Sequence, residues 1–79
     1  MNMIAGWRGV IGGSIEEFVR KHEGRLYRTA VAIMGNRADA EDIVQDAFIK
    51  VLEKRPDFES PEHEIAWLIR VTVNLCRSR

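Results

Sequence analysis

The stretch ADAEDIVQDAFIKVLEK, residues 38–54, decides the fold. Ala40, Ile43, Val44, Ala47 and Val51 recur every three or four residues, which places them on one apolar stripe of a helix. The other side of the same helix carries Asp42, Gln45, Asp46 and Ile49 at the same spacing, so three polar groups share a stripe with one isoleucine that gains nothing from water. Solvated acidic faces are common, and Asp39, Glu41 and Asp42 suit the first turn, where carboxylates favour the helix dipole. Gln45 and Asp46 lie beyond that turn. With Ile49 beside them they fit equally an acidic rim around an apolar contact for a partner.

Outward from this helix the punctuation is clear. Gly35 suits the left-handed conformation that ends a helix, and Asn36 can cap the next, so the second helix is expected over 37–54. Upstream, Ser14 with Glu17 makes a capping box, and Ile15, Phe18, Val19, His22, Leu26, Ala30, Ile33 and Met34 carry a first helix over 15–34. Downstream, Pro56 breaks the pattern in RPDFES, and Ser60-Pro61 opens a third helix, because proline at the first helical position gives up no needed donor. That helix puts Ile65, Leu68, Ile69, Thr72, Leu75 and Cys76 on one side and Arg70, Asn74 and Arg77 on the other, and is expected to run to the last residue.

Three helices with short links predict an all-α fold, a small antiparallel three-helix bundle over residues 14–79. Residues 1–13 are a leader, either flexible or a short extra helix docked by Trp7. The expected core is Phe18, Leu26, Ala30, Ile43, Val44, Ala47, Val51, Ile65, Leu68, Thr72 and Leu75, with Trp67 partly buried.

Composition narrows the function. The 79 residues hold 12 basic and 12 acidic side chains and no net charge, so a nucleic-acid partner must be met by a local basic face. A single cysteine, Cys76, excludes an internal disulfide and fits a reducing, cytoplasmic setting. No apolar run approaches the roughly 20 residues of a membrane span, and the leader lacks the form of a secretion signal, so no membrane association is expected. His22 and His63 fall on different helices without a carboxylate at ligand spacing, which gives no catalytic or metal constellation; no enzyme and no cofactor are expected. His22 reads as a core-edge histidine and Cys76 as a small buried hydrophobe. On the third helix, Trp67 beside Arg70, Asn74 and Arg77 combines an aromatic, cations and an amide, a mixture that suits nucleic acid and equally a solvated basic face.

DAEDIVQDAFIKV followed after a break by AWLIRVTVN resembles region 2 of bacterial RNA polymerase sigma factors of the extracytoplasmic-function type, in the sigma-70 family. The resemblance runs from Ile15 to the end. It implies that Asp42, Gln45 and Asp46, with Ile49, dock on the coiled coil of the beta-prime subunit of core RNA polymerase. It implies that the loop and last helix capture the nontemplate strand of the promoter minus-ten element in transcription initiation. Phe58 then matches the loop aromatic and Asn74 the amide of a flipped-base pocket. Trp67 and Arg70 match the junction of duplex and bubble. Arg70 and Arg77 are expected to flank the pocket, since a flipped base needs phosphate neutralisation beside stacking and an edge partner. An anti-sigma factor is a further partner of the kind this family takes. The alternative is a sigma-like interaction adaptor that keeps the second-helix contact and no longer reads DNA.

Two features depart from the pattern. PDFESPEHE places Glu59, Glu62 and Glu64 around Phe58, more acid than a DNA-facing loop calls for unless those carboxylates turn away or read cytosine amino groups. The sequence also ends at NLCRSR, where the family usually continues through a linker into a helix-turn-helix domain. The expectation is one domain of a longer protein or a truncated product, with weak promoter affinity by itself.

Overall fold

The computed structural model describes residues 15–79; the expectations for residues 1–13 and for Ser14 lie outside them. The described chain forms α1 (Ile15–Met34), α2 (Arg37–Lys54) and α3 (Pro61–Arg77), each packed on the other two, with no strand among the described residues. It is the all-α three-helix architecture that the periodicity predicts.

The ends form as the capping residues dictate. Gly35 takes a left-handed φ of 72° while its N–H donates to Val31 O over 2.8 Å. Asn36 Oδ1 then accepts the Asp39 N–H at 3.0 Å, and Ser60 Oγ accepts the His63 N–H at 3.0 Å, with Pro61 opening α3. One end is not written in residue type. Arg55 closes α2 at a φ of 47°, a left-handed conformation that an L side chain rarely adopts, with its N–H on Val51 O. The third helix ends at Arg77, short of the last residue, with Ser78 as its cap; the Ser78 hydroxyl and N–H both donate to Asn74 O.

The core divides in two. Phe18, Leu26, Ala47, Phe48, Val51, Phe58 and Leu68 make the larger cluster; Ala30, Ala40, Ile43 and Cys76 make the smaller one near the Gly35 turn. The α1 and α3 N-terminal halves thus meet the C-terminal half of α2, the up-down-up arrangement that short links impose. Several expectations change. Val44 is only half-buried, because it lies on the flank of the α2 stripe that turns towards α1. Ile65 and Leu75 are half-buried too, since the deepest line of α3 runs through Leu68, Thr72 and Cys76. Phe48, outside the expected core, enters it by reaching Phe18, ring centroids 6.1 Å apart.

Candidate functional site: the outer face of α2 and the exposed face of α3

On α2 the buried residues Ala40, Ile43, Ala47, Phe48 and Val51 occupy one side, which leaves the opposite side as a ridge. Asp42 and Gln45 are exposed, Asp46 is half-exposed, and Ile49 keeps 48% of its surface in contact with solvent. The structure therefore brings these four together. The two flanks of the ridge differ. Towards the end of α3, Asp42 and Asp46 meet Arg79, 3.8 and 4.0 Å away. Towards α1, Gln45 borders an open groove lined by Glu23, Gly24, Tyr27, Glu41 and Val44. This groove explains the half-burial of Val44, which the apolar periodicity of α2 did not separate from full burial.

On α3 the buried line of Glu64, Leu68, Thr72 and Cys76 leaves Arg70, Asn74 and Arg77 exposed on one face. Trp67 is half-buried at its edge, as expected. Phe58, the residue matched to the loop aromatic, lies in the core. It is 4% exposed, its ring stacked on Phe18 with centroids 6.5 Å apart and edge-on to Trp67 at 5.6 Å and His63 at 5.7 Å. The loop is pinned there from both sides, since the Glu59 N–H donates to His63 Nδ1 at 3.1 Å and Ser60 caps α3. Asn74 stands seven residues beyond Trp67, about 10 Å along the helix, and is exposed where Phe58 is buried. The physical reason is supply of apolar surface. A domain this small fills its core with any ring within reach, and the six-residue loop delivers Phe58 to the end of the bundle where Phe18 and Phe48 already meet.

Glu64 accounts for part of the acidity of the loop. Its carboxylate turns inward, buried, and Oε2 accepts from His22 Nε2, itself buried, while Lys21 Nζ lies 3.7 Å away. His22 is thus a fully buried, paired histidine, not one at the core edge. The sequence held a signal for this pair: His22 lies four residues from both Phe18 and Leu26, and Glu64 four residues before Leu68, so each polar residue interrupts an apolar stripe in register. Glu59 and Glu62 remain exposed. Cys76 is buried, and burial pushes its thiol up while Arg79 pulls the other way, which suits the packing role expected of it. No group of three or more His, Cys, Asp or Glu among the described residues is placed to hold a metal ion, and no described helix is long and apolar enough to cross a membrane.

The family model described as Sigma-70 region 2 matches residues 18–79. The chain belongs to that family. It is 42% identical over 62 residues to the ECF RNA polymerase sigma factor SigE of Mycolicibacterium smegmatis, covering 78% of this chain and 24% of that protein. It is 30% identical over 63 residues to the ECF RNA polymerase sigma factor SigW of Bacillus subtilis, covering 80% of this chain and 34% of that protein. The chain therefore spans about a quarter to a third of the length of these curated relatives. No solved structure matches it. Membership of the sigma-70 region 2 family makes this a sigma factor region 2 domain.

Proposed function

We propose that this sigma region 2 domain works in the cytoplasm by docking on core RNA polymerase and presenting α3 to the nontemplate strand of the minus-ten element. The observation that carries the docking part is the ridge: Ile49, an exposed isoleucine, stands among Asp42, Gln45 and Asp46 on the side of α2 that neither α1 nor α3 covers. An apolar centre with an acidic rim is complementary to a coiled-coil tip whose cations surround an apolar patch. The beta-prime coiled coil is that partner in this proposal.

Replacing Asp46 with lysine should weaken binding to core polymerase by about 1 to 3 kcal/mol if the carboxylate meets a desolvated cation, and by less at a solvated rim. A titration in which the Asp42, Gln45 and Asp46 triple alanine variant binds core polymerase as tightly as the parent would remove the docking proposal.

The DNA part rests on Arg70, Asn74 and Arg77 sharing the exposed face of α3, with Trp67 at its edge. Guanidinium groups neutralise phosphates and position the strand, and an amide reads a base edge. With core polymerase present, Asn74→Ala should lose discrimination at one base position of a fluorescent nontemplate-strand oligonucleotide. Arg77→Ala should instead weaken all sequences alike and reduce the salt dependence. The burial of Phe58 favours the adaptor as a second reading, because the ring matched to the flipped-base pocket is spent in the core. Equal affinity for every oligonucleotide, unaltered by Asn74→Ala, selects the adaptor.

A further inference from the structure

The acidic flank of α2 already holds a cation. Arg79, beyond the end of α3, lays its guanidinium along it, with Nη1 3.7 Å from Asp39 Oδ1 and Nη2 3.8 Å from Asp42 Oδ2 and 4.0 Å from Asp46 Oδ2. The three carboxylates stand at positions i, i+3 and i+7, one above another over about 10 Å of helix. Left to themselves they repel one another. Among the described residues no other cation lies within 4.0 Å of Asp42 or Asp46; Lys50, one turn on, is turned to Glu53 at 3.9 Å.

The geometry selects the kind of cation. A guanidinium is a planar fork with five donors in fixed directions, able to face carboxylates on two sides at once, whereas an ammonium is a compact, strongly hydrated point charge. Here one fork spans three. The contacts are nevertheless loose. They lie at the long end of ion-pair distances and all four side chains keep a third or more of their surface in water, so each is weak and sensitive to salt. A loose contact across a docking face neutralises it without locking it.

We infer that Arg79 masks the docking face in cis: Asp39, Asp42 and Asp46 form a seat for one guanidinium, and a docking partner displaces Arg79 with an arginine of its own. The inference rests on the polymerase-docking proposal and adds three things to it. These are Asp39 as a third carboxylate, arginine as the group accepted, and a competitor carried by the chain itself. Two cations cannot occupy the seat together, so whatever Arg79 gains there is subtracted from the partner's binding.

The test is a titration of core RNA polymerase with the 79-residue chain, R79A, R79K and the Asp42, Gln45 and Asp46 triple alanine variant, at low and at moderate salt. Arg79 is solvent-accessible and lies past the helix, and alanine keeps the backbone bond from its N–H to Cys76 O, so R79A folds as the parent does. R79A should bind about two- to fivefold more tightly at low salt, R79K should fall between, and the advantage should shrink as salt screens the contact in cis. In the R79A background, D39N should give back part of the gain. R79A binding no more tightly than the parent, with the triple variant impaired, overturns the mask and leaves the docking proposal standing. A triple variant that binds like the parent overturns the docking proposal whatever R79A does.

Discussion

Glu64→Ala should cost about 3 to 5 kcal/mol of folding stability, a large share of the roughly 5 to 15 kcal/mol that a small domain has. Glu64 and His22 are each 2% exposed, and they bond across the packed interface of α1 and α3. Removing the carboxylate leaves a buried ring nitrogen with no partner and an empty volume beside Phe18, whose ring lies 4.8 Å from that of His22. It also removes one of two acidic groups from the first turn of α3, where the dipole favours them. The penalty belongs to the orphaned partner more than to the bond, so replacing both residues with leucine should recover most of the loss. Glu64→Gln should lose less than Glu64→Ala because its amide oxygen still accepts from His22. Urea unfolding of these three variants beside the parent measures the cycle. A Glu64→Ala domain within about 1 kcal/mol of the parent would mean that water satisfies His22 and that the pair contributes little.

The pair also shows where legibility in the sequence ends. Helix limits were legible because they are local: Gly35, Asn36, Ser60 and Pro61 each fix a backbone conformation or a donor within a few residues. The ridge of Asp42, Gln45, Asp46 and Ile49 was legible for the same reason, since the 3.6-residue period assigns opposite faces once the apolar stripe is known. The periodicity does not say what covers a flank. Val44 and Phe48 lie on the two sides of the stripe's margin, and which of them is buried depends on how closely α1 approaches, a matter of Phe18 and Gly24 on another helix. The contact of Arg79 with three aspartates needs the up-down-up packing that brings the end of α3 beside the start of α2. Glu64 and His22 stood in register with their stripes, and reading them as partners required only that an apolar stripe does not tolerate a lone charge. The burial of the loop aromatic was not legible, because a resemblance assigns a role to a position and does not weigh the competing use of the same ring.

That competition makes the last prediction quantitative. Phe58→Ala should destabilise the domain by about 3 to 5 kcal/mol, the range for deleting a buried phenylalanine, because the ring closes the end of the core between Phe18, His63 and Trp67. Stacking of an unpaired base on an aromatic side chain is worth about 1 to 3 kcal/mol by the same kind of substitution. The core term is the larger, so under the proposed DNA reading the ring should stay inside. Trp67 is half-buried and in edge contact with Phe58, and under that reading it is the ring expected to meet a base. Phe58→Leu keeps much of the apolar volume and should fold, with a lower midpoint in thermal unfolding and with base discrimination in the oligonucleotide titration unchanged. Trp67→Ala should weaken oligonucleotide binding, and Phe58 should support that binding only through the position it gives Trp67. A folded Phe58→Leu domain that loses discrimination while Trp67→Ala keeps it would show that the ring leaves the core in the complex. The energy that returns it to the core would then oppose promoter binding directly.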